Sequence, residues 1–229
     1  MNKLQDIKLY QTISWEVFEN IGHLQLNQPP TNKMTIFFFE ELTDFVFNIL
    51  PHEKIEALII SGKGRHFSSG ADLGNLLSAI KDQNKISESA SLELLNKNMD
   101  TLNAIFNLKI PVIAAISGVC LGSALELALF CHVRICDTSS LLGMPEAIFN
   151  LMPGLGGAVR ITQLKNKAKA MELVLSGENF SAKEAKEWGI VDIVASKKKS
   201  LETAIKFAKT YAKIYKKENL KRYIVSFQN

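Results

Sequence analysis

The sequence predicts an α/β domain: a coiled, layered core of strand–strand–helix units, with helices gathered toward its C-terminal end. Three observations predict it. Two short, continuous apolar runs, Ala57–Ile60 and Pro111–Ile116, read as strands buried on both faces of a sheet. Segments between and after them carry apolar residues at helical spacing. Glycine-marked turns separate one unit from the next, and no linker or low-complexity tract interrupts the series.

Taken in order, Thr12–Val17 and Gly22–Leu26 read as a hairpin joined near Glu19-Asn20, and Asn27-Gln-Pro-Pro30-Thr-Asn32 as a turn-rich loop. Thr35 is a helix cap. The helix that follows runs to Pro51 with Phe38, Leu42, Phe45, Val46 and Ile49 on one side. Ala57–Ile60 feeds a glycine-rich loop from Gly62 to Gly70. Asp72–Ile80 reads as a short helix, and polar Lys81–Ser91 as the most mobile segment. Leu92, Leu95, Met99, Leu102 and Phe106 form an amphipathic helix stripe. After the Pro111–Ile116 strand come a helix over Gly122–Phe130 and a strand over Val133–Cys136. Helices near Gly157–Leu164, Lys167–Leu175 and Ala182–Trp188 precede a short strand at Val191–Val194. A basic amphipathic helix starts at Ser200.

A chain of 229 residues, 47% hydrophobic and 22% charged, suits one sizeable soluble domain. The net charge of +4 does not suggest nucleic acid as a partner. Its basic residues concentrate late, at Lys197–Lys199, Lys216, Lys217, Lys221 and Arg222. Such a run reads as a solvated helix face or as a site for a phosphorylated ligand. Cys120, Cys131 and Cys136 sit in apolar surroundings without zinc spacing. They read as buried, reduced thiols of a cytoplasmic protein, with no metal site. The N-terminus shows no apolar signal core, and the longest apolar run, Ile110–Ala128, is broken by Pro111, Gly118, Gly122 and Glu126, so no membrane span is expected.

Three segments carry chemistry. In Phe67-Ser-Ser-Gly70-Ala71-Asp72-Leu73 a glycine lets the backbone pass close to a ligand before a helix starts. The free N–H groups of that helix start favour an oxygen bearing negative charge. Ile116-Ser-Gly118-Val-Cys-Leu-Gly122-Ser123 repeats the pattern. Two such turns can aim two N–H groups at one oxygen, which is an oxyanion hole. Glu126 falls one turn into the second helix among Ala124, Leu125, Leu127 and Ala128. A carboxylate there needs a partner, Arg134 or Arg160, or a function. The third segment, Gly143-Met-Pro-Glu146-Ala with Pro153-Gly154-Leu-Gly156-Gly157 after it, supplies a second carboxylate. Alone, Glu146 reads as well as a helix-cap partner as it does as a catalyst.

Taken together, from about Thr12 to Val194, these segments closely resemble the crotonase (enoyl-CoA hydratase/isomerase) superfamily. The resemblance implies a crotonase-like spiral of ββα units over residues 1–195. Residues 196–229 would form a C-terminal helical segment, shortened because relatives continue into further helix beyond the position of Asn229. It implies binding of an acyl-CoA or acyl-carrier thioester, with coenzyme A as part of the substrate and no separate cofactor. The N–H groups of Ala71 and Ser123 would hold the thioester oxygen, and Ser69, Gly70, Asp72, Leu73 and Gly122 would line it. Glu126 and Glu146 stand at both acid–base positions of the hydratases, whereas simple isomerases keep only the later one. Ser123 replaces the usual glycine, and Gly74 a common basic residue.

The expected activity is therefore hydration of a 2-enoyl thioester in fatty acid metabolism. An isomerase, a decarboxylase or dehydratase on carrier-bound chains, and a non-catalytic acyl-CoA-binding relative are the alternatives. The resemblance also implies a homotrimer or a hexamer. On that view the apolar face of the last helix, with Ile205, Tyr211 and Ile214, meets a partner surface. Its lysines, Lys206, Lys209 and Lys213 among them, would face the CoA phosphates.

Overall fold

The computed structural model describes residues 10–71, 88–164 and 167–215, with backbone alone at 88–91 and 212–215. Nine strands are described: β1 (Ile13–Phe18), β2 (Ile21–Leu26), β3 (Ala57–Gly62), β4 (Val112–Ile116), β5 (Val119–Leu121), β6 (Val133–Asp137), β7 (Leu141–Gly143), β8 (Asn179–Ser181) and β9 (Ile193–Ala195). The helices are α1 (Ile36–Asp44), α2 (Glu88–Phe106), α3 (Ser123–Leu129), α4 (Gly157–Thr162), α5 (Lys167–Ser176), α6 (Ala182–Glu187) and α7 (Ser200–Tyr215).

A six-stranded sheet runs in the order β1-β2-β3-β4-β6-β9, and a second sheet holds β5, β7 and β8. The first hairpin is antiparallel and turns through Glu19 and Asn20, both at positive φ. From β2 onward the large sheet is parallel, with Ile60 beside Ala114 and Ala115 beside Ile135. Parallel neighbours need crossover connections. Each crossover carries helix or the small sheet to one side, which coils the chain into layers.

The continuous apolar runs are strands whose alternate residues enter two different cores. Leu58, Ile60, Val112, Ala114 and Ile116 face the main core, with Phe38, Leu42 and Phe45 of the α1 region. Ala57, Ile59, Ile113 and Ala115 face the other side, where α7 lies across the sheet on Ala204 and Ala208. Each buried large aliphatic side chain contributes ~1.5–3 kcal/mol, so the two-sided burial of β3 and β4 anchors the fold. Thr35 caps α1 as the sequence predicts, its hydroxyl accepting from Phe38 N–H.

Several expectations change. α1 ends at Asp44, and a π-helical turn (Phe45–Ile49) and a 3-10 turn (Leu50–His52) carry the chain to the predicted boundary. Of the segment expected to be mobile, Lys81–Ser91, residues 88–91 belong to α2, which begins at Glu88, and the rest lies outside the described residues. Leu92 and Leu95 at the start of the α2 stripe are exposed, while Leu102 and Ile105 are buried. The predicted helix over Asp72–Ile80 lies outside the described residues. Ile205 on α7 packs against this chain's own sheet rather than awaiting a partner. Ile214 and Lys213 lie where side chains are not described.

Candidate active site

Three extended segments lie side by side and shape the site. Phe67–Ala71 is the middle one. Its outer neighbour is the loop before α1: Ser69 N–H donates to Thr31 O (2.9 Å), and Met34 N–H to Gly70 O (2.9 Å). Its inner neighbour is the β4–β5 segment: Phe67 N–H donates to Ser117 O (2.8 Å), and Leu121 N–H to Ser68 O (3.2 Å). Asn32 staples the outer pair, its amide donating to Lys63, His66 and Phe67 carbonyls. His66 staples the inner pair by accepting from Val119 N–H at Nδ1 (3.1 Å).

This lattice fixes the direction of one peptide. Gly70 O points at Met34, and the Gly70–Ala71 bond is trans, so the Ala71 N–H points the opposite way, away from Met34. Gly70 sits at φ +85°, and a Cβ on it would lie 2.4 Å from Leu121 O and 3.5 Å from Ser123 N. Residues 70–71 and 121–123 are thus direct neighbours. On the second side Gly122 takes φ +56°, donates its N–H to Gly143 O and starts α3. The first helical bond of α3 runs from Glu126 N–H to Gly122 O (3.0 Å), which leaves Ser123 N–H outside the helical ladder. Ala71 and Ser123 therefore carry backbone donors in adjoining segments. Ser69 is half-buried beside Thr31. Asp72, Leu73 and Gly74 lie outside the described residues.

Glu126 is 2% exposed. Its partner is neither Arg134 nor Arg160. Oε1 accepts two backbone N–H groups instead, from Leu155 (2.9 Å) and Gly157 (2.8 Å). Arg134 pairs with Asp192 (3.0 Å), and the Arg160 guanidinium lies 3.8 Å from the Phe106 and Phe130 ring centres. Gly157 has no room for a side chain, since a Cβ there would sit 2.5 Å from Glu126 Cγ. Burial pushes the Glu126 carboxyl up to about 7, with the charge of Glu146 adding to the rise and the two N–H donors opposing it.

Glu146 lies in the 3-10 turn Pro145–Phe149 that follows β7. β7 runs parallel to β5, so the segments leading to the two glutamates travel together. A Cβ on Gly122 would lie 2.9 Å from Glu146 Oε1, which puts this carboxylate against the start of α3. Its Oε2 is buried without a hydrogen-bond partner, and burial raises its pKa. A buried carboxylate oxygen facing no donor is costly unless a ligand completes it.

The sequence reading missed Asn32, Met34 and the Leu155–Gly157 donors. Asn32 carried only a turn signal, Met34 none. The glycines of Pro153–Gly157 were visible, but their target was not. The three cysteines are buried free thiols, and burial pushes Cys131 and Cys136 up to about 12. Lys206 and Lys209 have carboxylate partners, Glu202 (2.9 Å) and Glu19 (2.8 Å). Among the described residues no cluster of His, Cys, Asp or Glu could hold a metal ion, and no helix is long and apolar enough to cross a membrane.

The Glu126 environment predicts a pH-dependent stability. Its folded pKa lies above the ordinary value of 4.5, so its contribution is fully present below about 4.5 and is lost as pH rises through about 7. At ~1.4 kcal/mol per unit the loss reaches about 3 kcal/mol. Glu126→Gln, which keeps an acceptor for both N–H groups, is expected to be more stable than the wild type at pH 8. The gap should narrow at pH 5. Urea midpoints at the two pH values check this, and an equal gap at both would refute it.

A spiral of this kind, with two carboxyls on adjoining turns, places the chain in the class of crotonase-fold enzymes. The family model described as enoyl-CoA hydratase/isomerase matches residues 16–222, and the chain belongs to that family. A probable enoyl-CoA hydratase of Bacillus subtilis is 37% identical over 183 residues, covering 80% of this chain and 69% of the relative. The fatty acid oxidation complex subunit alpha of Shewanella loihica is 38% identical over 192 residues, covering 82% of this chain. This chain spans only 26% of that longer subunit. The crystal structure of an enoyl-CoA hydratase from Bacillus anthracis superposes with a TM-score of 0.77 at 32% identity, over 88% of this chain and 77% of that one.

Proposed function

We propose that the protein hydrates 2-enoyl-CoA thioesters, adding water across the 2,3 double bond. The observation that carries this reading is the placement of two carboxyls: buried Glu126 lies in the first turn of α3, and half-buried Glu146, its Oε2 without a partner, lies against the Gly122 that starts α3, with burial raising the pKa of both. Such a pair holds a proton to higher pH than ordinary carboxyls do, so one member is an acid while the other is a base. The Ala71 and Ser123 N–H groups would take the thioester oxygen and draw electrons from C3. The ionised carboxyl then removes a proton from water as its oxygen bonds C3. The protonated carboxyl delivers its proton to C2, and the pair ends with one proton, as it began.

Ser69, Gly70, Asp72, Leu73 and Gly122 would line the thioester. The buried thiols suit a reducing cytoplasm. Ile148, Met152, Val159 and Leu175, each more than 60% exposed, support the homotrimer or hexamer that the resemblance implies.

The similarity to a probable enoyl-CoA hydratase supports hydration, as does a carboxyl at both acid–base positions. Incubation with crotonyl-CoA, followed by product analysis, tests it. Loss of the enoyl absorbance with formation of a 3-hydroxyacyl product is expected. Conversion of a 3-enoyl-CoA alone would assign isomerisation, and binding without turnover a non-catalytic relative.

A further inference from the structure

Met34 is tied to both backbone donors, although it lies outside every glycine-marked segment. It is 2% exposed, between the turn-rich loop and α1. Its N–H donates to Gly70 O (2.9 Å), and this bond aims the Ala71 N–H away from Met34. Its side chain reaches the other donor residue, where Sδ accepts from the Ser123 hydroxyl (3.6 Å). Ser123 is 7% exposed, so its hydroxyl is a buried donor that needs an acceptor. A serine at the first position of a helix can turn its hydroxyl toward several neighbours, and the hydrogen bond it makes ties the start of that helix to the neighbour chosen. A thioether is a weak acceptor. Here it is held by its own main-chain bond to the opposite segment, so the two sides are latched to one residue.

We propose that Met34 is a positioning residue that sets the spacing of the Ala71 and Ser123 N–H groups through its Gly70 and Ser123 hydrogen bonds. The inference rests on the reading of those two groups as donors to a thioester oxygen. It explains how this chain uses a serine where the resemblance leads one to expect glycine. The hydroxyl becomes part of the latch, with its partner supplied by a residue 89 positions away.

Met34→Leu tests it, because leucine keeps the apolar volume and removes the acceptor. The probe is a conjugated aryl-enoyl-CoA whose absorption moves to the red as its carbonyl is polarised. Wild-type protein is expected to give the red shift. Met34→Leu should lose about half of it or more, with a fall in kcat of ~10-fold and little change in KM, as for an interaction that strengthens in the transition state. The double variant with Ser123→Gly should show no such penalty relative to Ser123→Gly alone, since no hydroxyl then lacks a partner. No red shift in the wild type would overturn the thioester reading and this inference with it. A wild-type red shift that persists in full in Met34→Leu would overturn this inference alone. So would a lowered Tm with red shift and kcat retained, because that is a packing role only.

Discussion

Glu146→Gln and Glu126→Gln are each expected to lower turnover of a 2-enoyl-CoA by ~10²–10⁴-fold while the circular dichroism spectrum stays that of the wild type. Glutamine cannot exchange a proton, so either change leaves the pair with one working partner. The fold should tolerate both. Glu126 uses only Oε1 to accept from Leu155 and Gly157, and a glutamine Oε1 accepts the same two bonds. Glu146 Oε2 has no partner to lose. The larger loss is expected at Glu146, whose Oε2 has no hydrogen-bond partner within the protein. Steady-state rates with crotonyl-CoA measure both effects, and near-normal hydration by either variant removes that glutamate from the reaction.

Ala71→Pro should cost ~100-fold or more in kcat, because proline deletes the N–H assigned to the thioester oxygen. That N–H points away from Met34 and takes no part in the Met34–Gly70 bond, so its loss leaves the recorded pairing intact. Ser123→Gly is the counterpart. Its N–H survives while its hydroxyl bond to Met34 is lost, so kcat should fall by no more than the ~10-fold expected of Met34→Leu. The contrast separates a backbone role from a side-chain role at the two positions. If Ala71→Pro kept kcat within a few-fold, the oxygen would have to be held elsewhere.

What the chain disclosed before folding depended on range. β3 and β4 were legible because burial on both faces leaves an unbroken apolar run, and Thr35 because a cap acts over three residues. β5, β7 and β8 were not, since three residues carry no period and their pairing depends on distant neighbours. Glu126 and Glu146 were picked out as candidates from their surroundings and from the resemblance. The arginine partners suggested for Glu126 were wrong for a physical reason. Sequence points to charges, whereas the buried carboxylate is met by main-chain donors 29 and 31 residues away, which have no side-chain signature. Asn32 looked like a turn residue because its role, binding three carbonyls of another loop, is invisible locally.

The lattice of loops has a consequence for folding. Met34 meets Gly70, Phe67 meets Ser117, and Leu155 and Gly157 meet Glu126, so each wall of the site is closed by a contact across a long stretch of chain. Closing such stretches costs entropy that only the assembled core can offset. The site therefore does not pre-exist in a fragment carrying only the glycine motifs. A peptide with Glu126 and Glu146 but without residues 32–34 would have both acids and lack one of the three extended segments that shape the site. The constellation is a property of the closed spiral and of no single segment.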